Sequence, residues 1–123
     1  MLGIVMLLAV GCRRSGRLPD DVIPADQMAP IIAELQMAET AVARLNLQSY
    51  DSAKVAFQYL QQQTMEKHGI DSARYRKSFE AYARYPASME AIYADVLEIL
   101  EAKSDSVLLE DRMNRPTDEN PPR

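Results

Sequence analysis

Few residues in this chain are equipped to do chemistry. His68 is the single imidazole among 123 residues, so general acid–base catalysis or metal binding by histidine would have to pass through it. Its surroundings do not favour either role. Glu66 falls on another helix face and Asp71 lies across a helix break, so neither reads as an orienting partner. No His-x₃-His or Glu-x-x-His pair supplies the ligand spacing of a helical zinc or di-iron site. At the last turn of a helix His68 reads instead as a group interacting with exposed carbonyls and, when cationic, with the helix dipole. Ser78 lacks the flanking glycines of a nucleophile elbow. The chain has four Gly and no glycine-rich run to cradle a phosphate. Its one Cys excludes an intrachain disulfide, a Cys₄ zinc site and a Cys-x-x-Cys redox pair. With 14 Lys+Arg against 18 Asp+Glu and a net charge of −4, it lacks the basic balance of a nucleic-acid binder. The expectation is a non-enzyme with no cofactor, no metal, no nucleic acid and no small-molecule substrate.

The lone Cys12 has a stronger context. Eleven apolar or small residues precede it and none is charged. A bilayer-spanning helix needs roughly 20 residues, so this run is short for a span and has the length of a signal-peptide apolar region. Ending in Gly11-Cys12, it looks like a bacterial lipoprotein signal, in which the Cys is acylated after cleavage before it. Ala9 stands where such signals usually carry Leu, and no Lys or Arg precedes the apolar run; a start codon assigned too late would explain the second departure. Each buried acyl CH₂ is worth ~0.8 kcal/mol, so two or three chains make a stable anchor. Arg13, Arg14 and Arg17 follow with no acid before Asp20, either as a solvated linker or as a patch against anionic headgroups. The chain then divides into a signal at 1–11, a lipidated Cys and linker at 12–24, a helical domain at 25–112 and a disordered tail at 113–123, where Pro116, Pro121 and Pro122 cluster.

The elements between linker and tail read as helical throughout, giving an all-α chain: a compact bundle of about four helices following the signal and a flexible arm. The first helix spans roughly 26–47, with Met28, Ile31, Leu35, Ala38, Val42 and Leu45 on one stripe; Pro30 suggests that its first turn starts after Gln27. The second spans 52–68, with Ala53, Phe57, Leu60 and Thr64 inward, Gly69 as the left-handed terminator and Ile70 folding back. The third spans 72–84 behind the N-cap Asp71, with Tyr75, Phe79 and Tyr82 inward. The fourth spans 86–112, opened by Pro86 at its first position, with Met89, Ile92, Tyr93, Val96, Ile99, Leu100 and Val107 inward. Its acidic outer side and the basic third helix suggest opposed solvated faces, worth ~0–1 kcal/mol per exposed pair.

Tyr75, Phe79, Tyr82, Tyr85 and Tyr93 gather at the junction of the third and fourth helices. As core they would keep their hydroxyls near solvent; as a partly open aromatic groove they would form an interaction surface for an apolar segment of another protein.

The residues Lys67-His68-Gly69-Ile70-Asp71, Tyr75, Ser78-Phe79, Tyr82, Pro86, Met89, Ile92-Tyr93, Val96 and Leu100, with Ile23-Pro24, Met28, Ile31-Ile32 and Leu35 before them, resemble a family of small Bacteroidota lipoproteins classed as domain of unknown function 4296. The resemblance covers roughly residues 22–100 and is spread over many weak positions; Tyr85 stands where Asn often precedes the Pro. It implies a lipoprotein signal and a helical domain, and no catalytic residue. Surface-exported lipoproteins of that phylum often carry acidic residues after the Cys, whereas this chain carries arginines. The expected location is therefore the cell envelope, at the periplasmic face of the outer membrane. The expected role is a lipid-anchored, non-enzymatic interaction or accessory module. It would hold the membrane through acylated Cys12 and bind another envelope protein. The alternative is a holdase-like chaperone that shields unfolded envelope proteins in the aromatic groove.

Overall fold

A computed structural model describes residues 18–115. The expected signal at 1–11, Cys12, the three arginines after it and the prolines of the expected tail lie outside the described residues. Within them the chain forms four helices and no strand: α1 (Ala25–Arg44), α2 (Tyr50–Lys67), α3 (Ser72–Ala83) and α4 (Pro86–Asn114).

Local chemistry sets most helix ends. α1 starts earlier than Pro30 suggested: the Pro24 carbonyl accepts from the N–H groups of Gln27 and Met28 at 3.0 and 2.9 Å. Pro30 therefore sits inside the helix, where its missing N–H leaves the carbonyl of exposed Asp26 to water. α1 stops at Arg44, short of the expected Leu47, because Asn46 takes a left-handed φ of 47°, a conformation that Asn tolerates better than most residues. Ser49 caps α2, accepting from the Asp51 N–H at 3.2 Å, and this starts α2 two residues ahead of expectation. Its other end is a Schellman motif. Gly69 has φ 65°, its N–H reaches the Glu66 carbonyl at 3.1 Å, and the Ile70 N–H reaches the Met65 carbonyl at 3.0 Å. Asp71 caps α3 by accepting from the Arg74 N–H at 2.7 Å. Pro86 opens α4 at its first turn without a side-chain cap.

α1 is the central element. α2 packs along it in the opposite sense, with Lys67 at the end of α2 meeting Glu34 in the middle of α1. α4 packs on α1 in the same sense, and α3 rests on α4. The early halves of α1 and α4 supply the core. Met28, Ile31 and Ile32 pack there with Ile92, Val96, Met65 and Tyr82, each fully buried apolar side chain contributing ~1.5–3 kcal/mol. From Met28 to Leu35 α1 is buried on almost every side, and burial thins afterwards to Ala38 and Val42.

Three inward assignments change. Leu45 is exposed because α1 has already ended. On α4, Tyr93 is 37% and Val107 62% exposed; Tyr93 turns off the stripe of Ile92 and Val96, and at Val107 α1 offers no packed surface. The boundaries at 24/25 and 112/113 also shift: Ile23 is completely buried, and α4 continues through Met113 to Asn114. Among the described residues no ion pair joins α3 to α4. Lys77 pairs with Asp21 instead, and the Arg74 Nε donates to the Asp21 carbonyl at 3.3 Å.

Candidate functional site

The segment before α1 is held by α3. Ser78 and Tyr82, one helical turn apart, face the backbone of Ile23. The Ile23 N–H donates to the Ser78 Oγ at 2.9 Å, and the Tyr82 hydroxyl donates to the Ile23 carbonyl at 2.9 Å. Ser78 in turn donates to the Arg74 carbonyl at 2.8 Å. Both backbone groups of a wholly buried residue are thereby satisfied, as burial demands. Lys77 adds an ion pair outside, where its hydrogen bond and charge hold the Asp21 carboxyl below the ordinary aspartate value.

This clamp divides the aromatic row. Tyr82 is 3% exposed and its hydroxyl is engaged with Ile23, so it belongs to the core and not to an open groove. Burial, with Asp26 nearby, raises its pKa above 10.0. Tyr75 and Phe79 are half-buried on α3, their ring centroids 6.1 Å apart and tilted by 41°, beside a shallow depression that includes Gln61 and Arg76. Burial pushes the Tyr75 hydroxyl up to about 12, with Tyr93 and Glu39 adding to the effect. Tyr85 is half-buried at the α3–α4 turn, and Tyr93 is exposed on α4. The periodicity that placed Tyr75, Phe79 and Tyr82 on one stripe missed the buried line of Ser78, Ala81 and Tyr82. Ser78, which lacks the context of a nucleophile, is an anchor for the arm.

His68 has a partner that its own sequence neighbourhood concealed. Its Nε2 lies 3.3 Å from the Glu34 carboxylate on α1, screened from solvent and without the alignment of a hydrogen bond. Lys67 pairs with the other carboxylate oxygen. Partial burial pushes Glu34 upward, but Lys67 and then His68 outweigh it and hold the carboxyl below its ordinary value. The cluster ties the end of α2 to α1. The hydroxyl next to it, Thr64, donates to the Leu60 carbonyl at 3.0 Å and is not presented as a nucleophile. Among the described residues no group of three or more His, Cys, Asp and Glu is placed to hold a metal ion, and no helix is long and apolar enough to cross a membrane.

The exposed apolar surface lies elsewhere. Leu45 and Leu47, after α1, and Val55 and Tyr59, on the early turns of α2, border one shallow depression. Residues 37–44 of α1 and 100–108 of α4 border a groove of about 480 Å³. Because α4 runs with α1 and α2 runs against it, these surfaces share the end of the bundle opposite the Ile23 clamp. One end is thus packed and holds the arm, while the other presents large apolar side chains to water. The exposed apolar side chains there border two separate depressions, one between α1 and α4 and one beside α2.

A family model described as Domain of unknown function (DUF4296) matches residues 19–106. That span takes in the clamped arm, all of α1 to α3 and α4 as far as Ser106. No curated protein and no solved structure matches the chain.

Proposed function

The chain belongs to the DUF4296 family, a domain of unknown function, and on that premise we propose that it is a lipid-anchored, non-enzymatic interaction module of the bacterial envelope, working at the periplasmic face of the outer membrane. The observation that carries the interaction role is the polarity of the bundle: the arm is clamped at one end, and large apolar side chains stand exposed at the other. The uncharged run ending at Gly11-Cys12 supports the anchor. Leu18 lies six positions after Cys12, a reach of at most ~20 Å, so acylation would hold the packed end close to the bilayer surface.

The interaction surface in this reading is the open end and not the aromatic row, because Tyr82 is committed to the fold. That also weakens the holdase alternative, which relied on the complete row.

The test is metabolic labelling with a fatty acid, followed by fractionation, of cells producing the wild-type chain or Cys12→Ser. The wild type is expected to carry label and sediment with membranes, and the variant to lose both. An unlabelled, soluble wild-type protein would overturn the anchor.

A further inference from the structure

α4 outlasts its support. Every residue over 101–114 is exposed, and a stretch that short is a marginal helix in water without packing. Yet Val107 and Leu108 stand more than half exposed along the groove that α4 makes with α1, and Arg44 and Lys103 give that groove a basic edge.

We propose that the groove is covered by α4 of a second copy of this chain, lying antiparallel across a two-fold axis beside Val107. This rests on the reading of the open end as an interaction surface and is independent of the lipid on Cys12. Charge is the first argument. Lys103 and Glu110 are seven residues apart and so share one flank of α4. In an antiparallel pair like flanks meet, so Lys103 of each copy faces Glu110 of the other, twice. Among the described residues neither has an ion-pair partner within its own chain. Shape is the second. Ser104 is small and lies one turn before Leu108, leaving room for the Leu108 of the other copy, while Val107 meets its symmetry mate. Area is the third. Covering Leu97, Val107, Leu108 and the groove edges in both copies removes on the order of 1,000 Å² from water, the floor for a specific interface. Confinement of copies to a membrane would raise their effective concentration further.

The experiment is sedimentation equilibrium on the full chain carrying Cys12→Ser, to keep it free of lipid. A dimer is expected at about 100 µM or below. Adding Val107→Glu should weaken it by at least ~100-fold, with the circular dichroism of a folded helical protein retained. Lys103→Glu and Glu110→Lys should each weaken it about tenfold by placing like charges together, and an equimolar mixture of the two should recover the loss as a heterodimer. A monomer throughout that concentration range would overturn the proposal. A dimer indifferent to Val107→Glu, or a mixture no tighter than its components, would overturn it as well. None of these outcomes bears on the fatty-acid labelling of Cys12, so failure here is distinguishable from failure of the anchor.

Discussion

The Tyr82 hydroxyl donates to the Ile23 carbonyl at 2.9 Å across 59 positions of sequence. Together with the Ser78 Oγ, which accepts from the Ile23 N–H, it satisfies both backbone groups of that residue with two side chains of one helix. The consequence is mechanical. The connection of the arm to α1 passes through Ile23, a buried residue whose backbone N–H and carbonyl are both bonded to side chains of α3.

Tyr82→Phe and Ser78→Ala should each destabilise the protein by ~1–3 kcal/mol, because each leaves one buried polar group of Ile23 without a partner. The double variant should cost less than the sum, since both substitutions act on the same residue. Urea unfolding of the full chain measures all three. A loss below about 0.5 kcal/mol in both single variants would mean that the arm detaches freely or that water replaces the two hydroxyls.

Acid should weaken the α1–α2 junction through Glu34. Its folded-state pKa lies below the ordinary value of 4.5, so its contribution is fully present above that value and is lost as pH falls through the depressed one. Thermal unfolding between pH 7 and about 3 should show a decline at the acid end that is shallower in Glu34→Gln than in the wild type. At neutral pH the variant should be the less stable of the two, since it gives up the pairing with Lys67 and His68. Parallel curves would show that Glu34 makes no pH-dependent contribution.

Gly69→Ala isolates a backbone effect. A Cβ built at Gly69 meets nothing within 4 Å, so the cost comes from the φ of 65° and should be about 1–2 kcal/mol. Gly69→Asn should cost less, because Asn enters the left-handed region more readily. Calorimetry should show a lowered melting temperature in the order Ala below Asn below wild type. Equal values for Ala and Asn would point to a changed loop in place of a strained terminator.

The sequence by itself determined the elements. Asp71 as a cap, Gly69-Ile70 as a terminator and Pro86 as a first helical residue depend on interactions within a few positions, and the four helices lie where those signals and the apolar period place them. Even the misplaced ends had local causes: Asn46 adopts a left-handed turn, and Ser49 caps α2 ahead of Ser52. Only the tertiary structure decided what each helix faces. Periodicity marks the apolar side of a helix but cannot say whether another element lies opposite. Ile92 and Val107 both read as inward, yet Ile92 meets the early half of α1, while Val107 lies where α1 is ending and a groove remains. The pairings Glu34–His68 and Ile23–Tyr82 were hidden for the same reason. Each joins residues whose proximity depends on how whole helices are stacked, and no local pattern encodes that register.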